Sequence, residues 1–287
     1  MKAVRMNSIY LWVKSRARRG TPVLSTIACQ FLRLKICYTY GVKNLFRAFK
    51  WYLSSSGSFI NFVLTDPSKK YLMHELAKIT GASYEECNRY YDELLNDKDL
   101  KYDIEQKIRN TSERYFYRPP IEYGGKRIAW YIITRIMKPR LIIESGIDRG
   151  VGTALISAAL FKNRNEGHPG KVMGLDCNPL AGQLIPDRYS EQVEIVIGDS
   201  LDSLKKIDGK IDVFIHDSFV HQLEEYETAL SKSSDQALLV SGESRTTDCL
   251  FRFASENSLD FWIWHEEVKN SFITASGLGF ARIRKGK

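Results

Sequence analysis

A chain of 287 residues that is 44% hydrophobic and 26% charged has the make-up of a soluble globular protein, long enough for one large domain with extensions or for two small ones. Its net charge of +8 is uneven: residues 1–65 hold eleven Lys/Arg and no acid, which leaves 31 of the 42 basic residues beside all 34 acidic ones in the remainder. The main part of the chain is therefore near neutral, so its basicity does not point to nucleic acid. Cys29, Cys37, Cys87, Cys177 and Cys249 show no C-x-x-C spacing, which excludes a disulfide framework or structural zinc as the expected organisation.

The N-terminal 65 residues lack a run of eighteen apolar residues and a convincing signal-peptide pattern. Cytoplasmic residence is the expectation, although an acid-free, Arg-rich start also matches a mitochondrial transit peptide if the source is eukaryotic. Within GVKNLFRAFKWYL, Lys43, Arg47 and Lys50 share one helical face, and Val42, Leu45, Phe46, Phe49 and Leu53 share another. Such a basic amphipathic helix can lie peripherally on an anionic membrane, or can pack its apolar stripe on the main domain. SSSGS at 54–58 reads as a flexible break. Residues 66–139 read as a helical cap region. Ser83 and Glu86 form an S-x-x-E capping box, Pro119 and Pro120 close one segment, and a further helix ends at Pro139.

From residue 140 short apolar runs alternate with helical segments. Strands are predicted at 140–145, 171–177, 193–198, 211–216, 237–242, 260–266 and 278–284. This is the pattern of an α/β fold, a doubly wound sheet of seven strands. Only about nine residues separate DFWIWHEEV from GLGFARIRK, whereas a parallel crossover needs a dozen or more, so the final strand is expected antiparallel to its predecessor.

Ligands of open α/β sheets sit beyond the C-terminal ends of the strands, and these ends carry the informative residues. The first offers Glu144 and Ser145, followed by Gly146, Gly150 and Gly152. The second ends in Asp176, the third in Gly198, Asp199 and Ser200. The fourth gives His216, Asp217 and Ser218 with His221 beyond, and the fifth Glu243 and Ser244. One acid at one tip is usually a helix cap; five at five tips suggest a crevice rimmed with carboxylates, suited to hydroxyls, amines and positive charge. The glycine loop lacks the lysine of G-x-x-x-x-G-K-[ST] and the spacing of G-x-G-x-x-G, which weakens both phosphate-binding readings.

These residues resemble class I S-adenosyl-L-methionine (SAM)-dependent methyltransferases, in particular the small-molecule and sugar O-methyltransferase branch that includes catechol-type and macrolide-sugar enzymes. IIESGIDRGVGT is similar to the glycine motif of that branch, VMGLDCN to its second-strand acid, VEIVIGDS to its third-strand Gly-Asp and IDVFIHDS to its fourth tip. The resemblance spans 140–285 and implies a Rossmann-like SAM-binding domain over 140–287. It also implies that Gly146 and Gly150 admit the methionine part of the cofactor, with Glu144 near its amino group and Ser145 among the cofactor-binding residues. Asp176 would accept the ribose hydroxyls, Asp199 with Ser200 would meet the adenine, and Asp217 would lie near the sulfonium.

Methylation of a hydroxyl also requires removal of a proton. His221 is the expected general base, with Asp217 and His216 as further catalytic candidates. A surface role for His221 stands beside this, because the branch places its histidine one residue earlier, where this chain has Val220. The alternative is Mg²⁺ on Asp217 and Glu243, although the fifth tip lacks the Asp-Asn or Asp-Asp pair of metal-dependent relatives. The cap is expected to cover a small-molecule or glycan acceptor and to contribute to a homodimer, with Tyr115, Phe116 and Tyr117 as candidate pocket walls. A non-catalytic binding protein and an oxidoreductase or hydroxylase on the same scaffold remain open, whereas [DNS]PP[YFW], the motif of amino-methylating nucleic-acid enzymes, is absent.

Overall fold

A computed structural model describes residues 30, 34, 37–53, 63–111, 125–244, 246–269 and 277–283. The chain divides into two units, one of Met1–Ser55 with Asn270–Phe272 and the other of Ser56–Lys269 with Ile273–Lys287. In the first, a π-helical turn at Cys37–Val42 leads into α1 (Lys43–Leu53). The side chains of Leu45, Phe46 and Phe49 on the predicted apolar face of α1 are exposed. The break at 54–58 and the aromatic trio Tyr115, Phe116 and Tyr117 lie outside the described residues.

The second unit is built on a seven-stranded sheet. Its strands are β1 (Leu141–Ser145), β2 (Lys171–Asp176), β3 (Val193–Ile197), β4 (Ile211–His216), β5 (Ser233–Ser241), β6 (Asp260–His265) and β7 (Gly277–Arg282), in the order β3-β2-β1-β4-β5-β7-β6. The pairs from β3 through β5 are parallel; β7 inserts between β5 and β6, antiparallel to both. The expected antiparallel end is therefore present. The strand positions agree with the apolar runs except at β5, which begins at Ser233, four residues early. Its polar start SSDQ continues the pairing with β4 through a register irregularity between Ile211 and Val213.

Alternation along the strands assigns each face to its own core. Ile142, Val172, Val213, Ile215, Leu238 and Val240 point into one cluster; Ile143, Phe214 and Leu239 point into the other. The first cluster also takes in side chains of α2 (Asp66–Thr80), α3 (Tyr84–Leu95), α4 (Lys98–Asn110), α5 (Arg127–Met137) and α6 (Val151–Asn165). The second is covered by α7 (Ser200–Lys205), α8 (Gln222–Lys232) and α9 (Cys249–Glu256). The described helices of 66–139 thus share one core with the sheet: Leu72, Met73, Leu76, Ile104 and Trp130 are buried in the same cluster as Ile142 and Val213.

Local signals explain the helix ends. Thr65, Ser83 and Asp97 accept hydrogen bonds from the backbone N–H of Ser68, Glu86 and Leu100 and so cap α2, α3 and α4; the capping box read at Ser83 supplies this cap. At α2 the chain is also stitched to the end of β6. Trp264 Nε1 donates to Ser68 O at 3.1 Å and the Glu267 N–H to Ser68 Oγ at 3.0 Å. No side chain caps the start of α5, where Lys126 stands.

Candidate functional site

The strand tips are brought level by backbone hydrogen bonds that continue the ladders past the strands. Gly146 N donates to Leu175 O, Gly198 N to Asp176 O, Asp217 N to Ser145 O and Gly242 N to His216 O, all at 2.8–2.9 Å. The five tip acids consequently share one end of the sheet. Between β1 and α6 the chain turns through Gly146 (φ 83°) and Gly150 (φ 85°), left-handed conformations that favour glycine. A Cβ on Gly146 would come within 2.7 Å of the Asp217 carbonyl oxygen, so the β1 loop lies directly against the β4 tip.

On the β1–β3 side the carboxylates engage the backbone. Asp176 Oδ2 accepts from Asp148 N–H and Oδ1 from Asn178 N–H, each at 2.8 Å. A carboxylate has about four acceptor positions, so each oxygen keeps one for a ligand. Asp199 caps α7 by accepting from Asp202 N–H at 2.9 Å, which holds its carboxyl below the usual range. Its other oxygen lies 3.1 Å from His221 Nε2. Glu144 is buried and accepts from Thr153 Oγ1 at 2.7 Å. Burial raises its carboxyl to about 8, against the opposing effect of the Thr153 hydrogen bond.

Three expected site residues point inward. Ser145 and Ser200 are buried and both donate their hydroxyls to Glu225 Oε1. His216 is also buried, with Nε2 at 3.1 Å from Val220 O and 3.5 Å from Glu225 Oε2, and its ring lies against Tyr226. This set ties β1, β4, α7 and α8 together beneath the tips. The side chains of Ser145 and Ser200 therefore brace the site; contact with a ligand would have to use their backbones. His216 is a core histidine, which corrects its expected catalytic role: it has no exposed surface from which to reach an acceptor. His221 (φ 54°) is exposed and lies beside Asp199, on the β3 side of the crevice.

On the β4–β5 side a side chain not anticipated from the sequence holds the centre. Lys126 Nζ donates to Asp217 Oδ1 at 2.6 Å, to Gly242 O at 3.0 Å and to Glu243 Oε1 at 3.0 Å. The side chains of Lys126 and Asp217 are each only 10% exposed, so the ion pairs are shielded from water. Glu266, beyond β6, is buried close by, and burial raises its carboxyl to about 7 despite Lys126 and the backbone N–H of Lys126. The oxygens of Asp217 and Glu243 that were expected to ligate Mg²⁺ face an ammonium in this structure. Among the described residues, no three His, Cys, Asp or Glu side chains converge as metal donors. The only local hint of Lys126 was a Lys-Arg pair at a helix start, where the helix dipole disfavours cations.

Residues 143–243 match the family model described as a methyltransferase domain. Three similar solved structures agree in fold. The O-methyltransferase TomG from Streptomyces achromogenes, solved with SAM, is 17% identical over 66% of this chain and 91% of its own, with a TM-score of 0.50. A putative O-methyltransferase from Klebsiella pneumoniae is 13% identical over 69% and 95%, with a TM-score of 0.52. The O-methyltransferase from Bacillus cereus, solved with SAH (the demethylated product of SAM), is 17% identical over 68% and 96%, with a TM-score of 0.51. No curated protein sequence matches the chain. The matched segment runs from β1 through the β5 tip and contains the glycine loop and all five tip acids. Residues 143–243 are thus similar to a methyltransferase domain, on a fold shared with these O-methyltransferases.

Proposed function

We propose that the protein is a SAM-dependent O-methyltransferase acting on a hydroxyl of a small molecule or sugar. The observation that carries this reading is the convergence of Glu144, Asp176, Asp199, Asp217 and Glu243 at one end of the parallel strands, around a loop turned by two left-handed glycines. The residues fit the cofactor. Asp176 keeps two acceptor positions for two ribose hydroxyls, and Asp199 offers an exposed carboxylate at the next tip.

SAM supplies an electrophilic methyl group on a cationic sulfur. The protein contributes binding and alignment, and good alignment of two reactants is worth up to roughly 7–11 kcal/mol. Asp176 and Asp199 would orient the nucleoside end. Asp217, held by Lys126, would present a fixed negative field near the sulfonium. The three O-methyltransferases of the same fold support the O-methyl assignment.

Calorimetric titration with SAH tests the reading. The folded protein should bind one equivalent, and Asp176→Ala should weaken binding about 10- to 100-fold, the range for losing hydrogen bonds to a charged acceptor. No heat of binding from the folded wild-type chain would overturn the reading; an unchanged affinity in Asp176→Ala would remove Asp176 from the ribose.

A further inference from the structure

We propose that Lys126 is a built-in cation that takes the place of a divalent metal ion between the β4 and β5 tips, so that methyl transfer here proceeds without a metal at that position. For what the crevice does, the inference rests on the methyltransferase reading. The occupation of the position rests on geometry alone.

An ammonium has three N–H donors. Lys126 directs them to three acceptors at 2.6, 3.0 and 3.0 Å: Asp217 Oδ1, the Gly242 carbonyl oxygen and Glu243 Oε1. These are also the oxygens a hard cation would need. Mg²⁺ requires six oxygen ligands at 2.0–2.1 Å, and it could recruit these three only by evicting the ammonium. Keeping both would set like charges side by side in a shielded site. Eviction is opposed by the anchoring of Lys126. It immediately precedes α5, whose Trp130 and Tyr131 are buried in the core. A cation at an uncapped helix start is locally unfavourable; the carboxylates supply the compensation, as expected for a residue retained for its charge.

Two consequences follow for the acceptor. A site without a divalent ion cannot gather two adjacent oxygens of a substrate by chelation, so the crevice suits a single nucleophilic hydroxyl. With all three protons engaged by the protein, the ammonium does not itself reach the acceptor. Lys126 is thus a positioning residue. It fixes the Asp217 and Glu243 carboxylates and partly offsets their charge.

The test is Mn²⁺ binding, followed by the loss of the free-ion electron paramagnetic resonance signal on the full chain with and without SAH. The wild-type protein should leave the signal unchanged through the high micromolar range. Lys126→Ala should take up one equivalent at least tenfold more tightly than wild type, and adding Asp217→Asn should abolish that uptake. If Ala at 126 prevents folding, Lys126→Met retains the apolar stem and serves in its place. One equivalent of Mn²⁺ bound by the wild type and lost in Asp217→Asn would overturn the proposal, as would a folded Lys126 variant that gains no site. Heats of SAH binding measured on the same samples keep the two readings apart: failure to bind SAH would count against the methyltransferase assignment and leave the Mn²⁺ result standing.

Discussion

The two sides of the crevice solve the same problem by different means. At β1–β3 the two aspartates are fixed by main-chain donors: Asp176 by the N–H groups of Asp148 and Asn178, Asp199 by that of Asp202. At β4–β5, Asp217 and Glu243 are fixed by one side-chain cation that arrives from a helix start far away in sequence. Main-chain donors come with the turn and depend on glycine geometry. The lysine depends on tertiary packing and carries a charge that can be deleted. The first arrangement leaves acceptor capacity for a neutral, hydroxyl-rich ligand, and the second uses its capacity internally.

The largest expected effect comes from breaking the main-chain side. Gly146→Val places a β-branched residue at φ 83° and a Cβ about 2.7 Å from the Asp217 carbonyl oxygen. The left-handed conformation costs roughly 1–2 kcal/mol and overpacking a further 1–3 kcal/mol. At about 2–4 °C per kcal/mol for a domain of this size, the melting temperature should fall by roughly 5–15 °C and SAH binding should be lost. A variant that melts and binds like wild type would show that the β1 loop does not depend on this glycine.

A smaller effect, with a direction set by pH, distinguishes the sides through their buried acids. Glu144 under the β1 loop and Glu266 beside Lys126 have folded values of about 8 and about 7, above the ordinary 4.5. A carboxyl whose proton is held more tightly in the folded state stabilises the fold fully below its unfolded value. That stability is lost as pH rises through the folded value. Wild-type stability should therefore decline between about pH 4.5 and 8. Each tenfold change in proton affinity is worth about 1.4 kcal/mol, so the decline in urea unfolding should be on the order of several kcal/mol, up to about 8. Glu266→Gln should remove the part that ends near pH 7, and Glu144→Gln the part that extends to pH 8. A flat wild-type profile over this window would show that both acids are ionised when folded.

The main-chain side was also the legible side. Its glycines, Asp176 and Asp199 lie within one or two turns of the strands that position them, and apolar runs mark those strands in the sequence. β7 was legible too, since a short connection permits only an antiparallel return. The β4–β5 side was legible only in its anions. Lys126 lies 91 residues from Asp217 and 117 from Glu243, and no periodicity reports a contact of that separation. Glu225 and Glu266 escaped notice for a related reason: an acid on a helix or loop is ordinarily solvated, and their burial arises only when Ser145, Ser200 and His216, or Lys126, close around them. His216 and His221 have the same side-chain chemistry and lie five residues apart, yet one is fully buried and the other exposed. Burial, which decides between core and site, is set by how α8 packs.

His221 offers the smallest and most discriminating measurement. Its sequence position suggested a base at the acceptor, whereas its contact at 3.1 Å is with Asp199, which the resemblance assigns to the adenine. Both side chains are more than a third exposed, and exposed ion pairs contribute at most about 1 kcal/mol. If His221 serves to orient Asp199, His221→Ala should weaken SAH binding by no more than about fivefold. Asp199→Ala should weaken it more, and the double variant should add nothing to the loss in Asp199→Ala, because the histidine would act only through that carboxylate. If His221 faces the acceptor, SAH affinity should be unchanged in His221→Ala and the two substitutions should be independent. The double-mutant cycle separates the roles without knowledge of the acceptor, since SAH binding is measured on the cofactor side alone.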